Sequence, residues 1–307
     1  MLKQGIVVKD PPEGDDHGPG TYTYPTDQVF KPGVFDLLKF KMTEGSDDWT
    51  LEFYFKDLGG NPWNGPNGFS LQIIEAYFDF EKGGNTSAIK MFPPDGPGSN
   101  VNLDPEHPWD LALRIAGWDY GNLIVLPNGT AIQGELQISA DPVKNAIIVK
   151  VPPKKYLSVS DYGLYASILV GSQDGYGPDK WRPVAVEAEQ WKLGGGDPNA
   201  IIDNLAPRVV DELVPSDFKP TQEEQLKSYD LDKKKLATVL MIPLIKGAGG
   251  EQPTPTETST TSTTSSTTKS TTSSKTTTTT SSPSPHPDNH QQPEHHIKQH
   301  PEHDEHL

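Results

Sequence analysis

The chain contains no cysteine. That excludes disulfides, thiolate zinc sites, iron–sulfur clusters and a cysteine nucleophile. No apolar run approaches the ~18 residues a membrane-spanning helix needs, and the apolar stretch in residues 1–8 is too short for a signal peptide. Basic residues are scarce: 26 Lys and Arg stand against 42 Asp and Glu, a formal charge of −16. A chain this acidic repels phosphate backbones, so nucleic acid is not an expected partner. Histidine is nearly absent before residue 286, with only His17 and His107. A Ser/His/Asp triad would therefore have two possible bases, and no Gly-x-Ser-x-Gly elbow supports one. Gly194-Gly195-Gly196 lacks the Lys-Ser/Thr pair of a phosphate loop. Nothing around Met42, Met91 or Met241 marks them as haem ligands with those histidines. Glycoside hydrolysis needs two carboxylates at a set separation, and among 42 acidic residues the sequence singles out no pair. The expectation is a protein that is not an enzyme.

What the chain has in excess is turn formers. Its 28 Gly and 30 Pro among 307 residues exceed the roughly 12% that the two average together. Between these punctuation marks lie short apolar runs. In Trp49-Thr50-Leu51-Glu52-Phe53-Tyr54-Phe55-Lys56 the residues Trp49, Leu51, Phe53 and Phe55 share one face, the period of a half-buried strand. Residues 69–80 are more continuously apolar and read as a central strand. Further strands are expected at 111–118, 123–126, 136–138, 146–151, 165–170, 185–188 and 237–242. Short helices are expected at 200–205 and 222–227. Many short strands with Gly/Pro turns and almost no helical period imply an all-β fold, an antiparallel β-sandwich of jelly-roll-like form.

Composition divides the chain in three. Residues 4–245 form the sandwich domain. Residues 246–285 are mostly Thr, Ser and Pro, a composition unable to bury enough apolar surface to offset its ordering entropy and typical of O-glycosylated stalks. Residues 286–307 hold seven of the nine histidines and read as a disordered tail. The stalk argues for an extracellular or cell-surface protein whose signal peptide is missing from this sequence. The sequons at Asn85 and Asn128 both fall in expected turns, which suits glycosylation.

Two kinds of residue carry candidate chemistry. In Asp10-Pro11-Pro12-Glu13-Gly14-Asp15-Asp16-His17-Gly18-Pro19-Gly20, acidic side chains interleave with glycines. Calcium takes about six to eight oxygen ligands, and Asp10, Asp15 and Asp16 would supply some of them. The spacing is not that of an EF-hand, and a solvated Asx turn explains the same residues. The second kind is aromatic. Sugar rings lie flat on indole and phenol faces while their hydroxyls need amide, carboxylate or guanidinium partners. Two loops combine these groups: Trp63 with Asn64 and Asn67, and Asp174 with Tyr176, Trp181 and Arg182.

The N-terminal acidic loop, together with Thr26-Asp27-Gln28-Val29-Phe30-Lys31-Pro32-Gly33-Val34-Phe35-Asp36-Leu37, Gly59-Gly60-Asn61-Pro62-Trp63-Asn64-Gly65-Pro66-Asn67-Gly68-Phe69-Ser70, Gly171-Ser172-Gln173-Asp174-Gly175-Tyr176-Gly177-Pro178 and Ala206-Pro207-Arg208-Val209-Val210-Asp211-Glu212-Leu213-Val214-Pro215, resembles the C-terminal domain of glucodextranases and of archaeal and bacterial amylopullulanase-type surface proteins. Such domains are similar to family 9 carbohydrate-binding modules. The resemblance covers nearly all of residues 4–245. It implies an antiparallel sandwich, calcium stabilisation at the acidic loop and recognition of glucan or a cell-envelope glycan. The catalytic domains usually joined to this module are missing from the chain. The alternative is therefore a structural subunit of a surface layer or filament, self-associating through β-edges and calcium.

Overall fold

The computed structural model describes residues 6–89, 98–151, 155–159, 161–174 and 177–246. The Thr/Ser/Pro stalk beyond Lys246 and the His-rich tail lie outside the described residues. The strands are β1 (Ile6–Lys9), β2 (Leu37–Glu44), β3 (Trp49–Phe55), β4 (Gln72–Asp79), β5 (Asn102–Leu103), β6 (Leu111–Ile115), β7 (Leu123–Val125), β8 (Ala131–Ile132), β9 (Gln137–Asp141) and β10 (Ala146–Val151). They continue with β11 (Gly163–Asp174), β12 (Gly177–Trp181), β13 (Asp211–Glu212), β14 (Thr238–Val239) and β15 (Ile242–Lys246). Among the described residues there are also two short α-helices, α1 (Pro198–Ile202) and α2 (Gln222–Leu226), and a 3-10 turn at Asp119–Gly121.

A five-stranded antiparallel sheet runs β1-β2-β3-β10-β9. A larger antiparallel sheet runs β12-β11-β4-β6-β7-β8, with β13 and β15 also on β11. Strand alternation builds the first sheet as the sequence period requires. Phe40 and Met42 face Phe53 and Leu51 across the β2–β3 register, and Val149 and Ile147 continue the row on β10. These residues share one buried cluster with Ile74, Ala76 and Phe78 of β4, Leu111, Leu113 and Ile115 of β6, and Ile168 and Val170 of β11. The two sheets thus close on a common core, the expected sandwich.

Every residue of β4 is buried, because the sheet is covered on both faces. The alternate set, Ile73 and Tyr77, packs with Leu169, Trp181, Val101, Leu103, Trp109 and Val239 in a second apolar cluster. That layer comes from the loops around β5 and β14. It also buries charge: Glu75 lies directly opposite Arg114 and accepts hydrogen bonds from Tyr77 Oη at 2.5 Å, Ser99 Oγ at 2.9 Å and Trp181 Nε1 at 3.0 Å. Burial pushes the Glu75 carboxyl upward, and Arg114 with its donors opposes that shift.

Several expectations need correction. Residues 185–188 form no strand; they lie in a loop tied by the Val184–Leu193 bridge. The run 237–242 is split between β14 and the start of β15. The first helix begins at Pro198, two residues early, because Asp197 caps the N–H groups of Asn199 and Ala200. Strand β2 was not among the expected ones, since Lys39 and Lys41 break its apolar run.

The second core depends on Gly171. A Cβ there would lie 2.1 Å from Trp181 Cε3, so the indole occupies the space a side chain would fill. Gly171→Ala is expected to destabilise the domain by about 1–3 kcal/mol through overpacking, read from the urea midpoint. An unchanged midpoint would contradict this packing.

Candidate functional site

Trp63 sits in the loop before β4, held by a hydrogen bond from its N–H to Ser70 Oγ at 3.2 Å. Asn61 and Asn64 adopt φ of 54° and 53°, a left-handed conformation that Asn tolerates better than most residues. The turn swings the half-buried indole against Phe30, 6.1 Å between centroids, and Trp191, 6.3 Å away. Phe30 and Trp191 are themselves 6.2 Å apart. Trp191 lies in the tight turn closed by Glu189 and Lys192 and keeps 37% of its surface exposed. Three rings therefore form one patch, with Phe30 as a buried floor and the two indoles reaching solvent.

The Arg182 guanidinium lies within the patch, 4.9 Å from the Phe30 centroid, 5.6 Å from Trp63 and 5.8 Å from Trp191. It is 2% exposed. Its Nε donates to Ser172 Oγ at 2.9 Å, Nη1 to the Trp191 carbonyl at 2.9 Å and Nη2 to the Gln173 carbonyl at 2.7 Å. Burial lowers its pKa to about 10, with Asp174 and Asp27 opposing the shift. Arg182 is thus a post that fixes the rings from below. The expected role of reading sugar hydroxyls is corrected, because its donors already face protein acceptors.

Trp181 is corrected as well. It is 1% exposed and bonds to Glu75 in the second core, so it offers no face to a ligand. Neighbouring residues at the end of a strand point to opposite sides; here Arg182 turns to the rings and Trp181 turns away. Asn67 gives its amide to the Ala116 carbonyl at 2.9 Å, which anchors the loop. Asn64 is exposed beside Trp63. Asp174 is half-buried at the end of β11, and Tyr176 lies outside the described residues. Phe30, Trp191 and the pair Asp27 and Gln190, joined at 3.0 Å, were missed. Of the sequons, Asn128 is exposed, whereas Asn85 is half-buried and donates from Nδ2 to the Pro127 carbonyl at 3.0 Å.

A second constellation is acidic. One oxygen each from Asp15, Asp36 and Asp211 lies within 4.8 Å of the others. Asp36 and Asp211 are buried. Asp36 accepts the Gly14 N–H at 3.1 and 3.0 Å, and Asp211 accepts the Leu37 N–H at 2.6 Å. Asp15 Oδ1 is buried without a hydrogen-bond partner, and so are both side-chain oxygens of Glu212, a residue 1% exposed. Burial pushes the carboxyls of Asp15, Asp36, Asp211 and Glu212 upward, and repulsion from nearby carboxylates adds to the shift: Asp36 and Asp16 act on Asp15, Asp16 and Glu13 on Asp36, and Asp15 on Asp211 and Glu212. The unpartnered Asp15 oxygen and the all-oxygen donor set of Asp15, Asp36 and Asp211 fit a hard divalent cation of the calcium class. Of the three residues expected in the acidic loop, only Asp15 belongs to this group. Asp10 is exposed, and Asp16 Oδ2 accepts the hydroxyl of Tyr24.

Among the described residues, no helix is long and apolar enough to cross a membrane. Residues 6–242 match the family model described as the C-terminal binding module, SLH-like, of glucodextranase. A comparison with curated proteins gave no match.

Proposed function

The chain belongs to the family of the C-terminal, SLH-like binding module of glucodextranase, and on that premise we propose that it recognises polysaccharide without catalysis, at the cell surface or outside the cell. The observation that supports this most is the patch of Trp63 and Trp191, two partly exposed indoles packed on a buried Phe30 and a buried guanidinium. A sugar ring laid on the indoles gains apolar contact over a flat face, and rigid aromatic anchors lose little entropy on binding. Asn64, Gln190 and Asp27, at the patch border, supply amide and carboxylate groups for hydroxyls. The ligand class is a glucan or a cell-envelope glycan.

Calcium completes the reading. Asp15, Asp36 and Asp211 would hold the ion. The ion would neutralise carboxylates that otherwise repel one another, and it would join the N-terminal loop to β13.

A second reading is self-assembly into a surface layer or filament. The SLH-like character in the family description favours it, as does the position of β1 at the border of the five-stranded sheet. Sedimentation velocity with and without calcium separates the two. A monomer in both conditions leaves the binding module; a calcium-dependent oligomer supports assembly.

Isothermal titration against soluble α- and β-glucans tests the primary reading. At least one glucan is expected to bind, and Trp63→Ala and Trp191→Ala are each expected to weaken binding roughly tenfold or more, about 1.4 kcal/mol. Trp181→Phe should leave affinity unchanged. Wild-type affinity in both surface variants would contradict the patch.

Removing calcium with a chelator and restoring it in excess should move the melting temperature reversibly. An ion binding only the folded state at about 100 times its Kd stabilises by ~2.7 kcal/mol, several degrees for a domain of this size. Asp211→Asn should abolish the response. No shift in the wild-type protein would remove the ion from the account.

A further inference from the structure

The two constellations share one piece of chain. The segment between β1 and β2 has no helix and no named strand, yet it carries Asp15 and Asp36 of the acidic group and Phe30 of the ring patch. It is closed on itself at its base, where the Gly14 N–H donates to both oxygens of Asp36.

Tyr24 ties its halves together. The hydroxyl donates to Asp16, the neighbour of Asp15, and accepts the N–H groups of Gly33 and Phe35, each at 3.2 Å. The Tyr24 ring meets the Phe35 ring edge-on at 5.0 Å. Phe35 precedes Asp36 in sequence and lies 6.3 Å from Phe30, the floor of the patch. The far side of the patch rests on the same segment. Thr26 N–H donates to the Glu189 carbonyl at 3.0 Å, and Asp27 N–H to the Gln190 carbonyl at 3.3 Å. Thr23 pairs with Gly194 in an isolated bridge. Both the floor under the indoles and the turn that presents Trp191 are therefore held by this loop.

A loop held by one isolated bridge at Thr23 and Gly194 in place of a continuous ladder opens more readily than a sheet, and here three closely spaced carboxylates sit where it is anchored. We propose that the divalent cation held by Asp15, Asp36 and Asp211 raises the affinity of the Trp63 and Trp191 patch for sugar by fixing this loop, with Tyr24 as the positioning residue between the two sites. The inference rests on the polysaccharide and calcium readings above. It adds that they are one linked equilibrium. Linkage is reciprocal, so the sugar must tighten the ion by the factor by which the ion tightens the sugar.

The full chain serves for the test. Affinity for the glucan that binds is measured by titration in calcium and in chelator, and calcium affinity is measured with and without that glucan. Typical couplings span about 5–150-fold, so chelation is expected to weaken the glucan at least fivefold, with a matching factor in the reciprocal experiment. Tyr24→Phe keeps the ring and loses the hydroxyl. The variant should retain its calcium-dependent melting shift while the calcium effect on glucan affinity shrinks toward onefold. Equal glucan affinity with and without calcium, in a protein whose melting temperature responds to calcium, overturns the proposal. So does a Tyr24→Phe variant with the wild-type factor. If no glucan binds, the polysaccharide reading fails by itself, and the loop is followed by acrylamide quenching, with Trp191 isolated as the difference between wild type and Trp191→Phe. Quenching of Trp191 that changes on chelation supports the ion's hold on the patch; quenching that does not change overturns it.

Discussion

Three carboxyls brought within 4.8 Å of one another and withdrawn from water repel each other when ionised, unless a proton or a cation neutralises them. That constraint organises this protein. Asp15, Asp36 and Asp211 come from the start of one loop, the end of the same loop, and a short strand some 175 residues further along. The backbone has invested in the arrangement, since Gly14 and Leu37 turn their N–H groups toward two of the three. Lys56 stands 4.0 Å from Asp36 but also pairs with Glu13 at 2.8 Å, so a single lysine does not balance the group. The opposing charge that fits is a hard cation, and its effect would be to fasten a loop that has little regular structure of its own.

The same loop supports the ring patch, for which we propose sugar recognition. Sugar recognition needs flat apolar faces that stay wet, and an isolated surface indole would tend to fold down onto its neighbours. Here Phe30 fills the space underneath, and Arg182 braces the rings with all three of its nitrogens bonded to protein oxygens. Burying a guanidinium costs desolvation, partly offset by those three bonds and by contact with the faces of Phe30, Trp63 and Trp191. The result keeps Trp63 and Trp191 facing outward in fixed relation. Phe30 belongs to the core between the sheets, and Trp63 packs against that core.

Much of the fold was legible in the residues. The alternation of Trp49, Leu51, Phe53 and Phe55 located β3, and the mostly apolar stretch at 69–80 marked β4 as central. The site was harder to read, for two physical reasons. First, direction is invisible in composition. Trp181 and Arg182 look like a sugar-binding pair, yet strand geometry sends the indole into the second core, where the missing side chain of Gly171 leaves its space. Second, the sites are assembled over long range. Trp191 lies over 120 residues from Trp63, and no local pattern links them. One signal was present without being used. Asp36 and the Asp211-Glu212 pair stand inside apolar runs, and charge in such a run is stable only when it is paired or bound to a metal. Asp10, at the start of the N-terminal loop, is instead exposed just after β1.

The proposed function requires ring faces that take sugar while an ion holds the loop beneath them. A crystal structure grown with calcium and a short gluco-oligosaccharide tests that most directly. It should show an ion among Asp15, Asp36 and Asp211 and a sugar ring against Trp63 and Trp191. An ion bound elsewhere, or a sugar that bypasses both indoles, would contradict it.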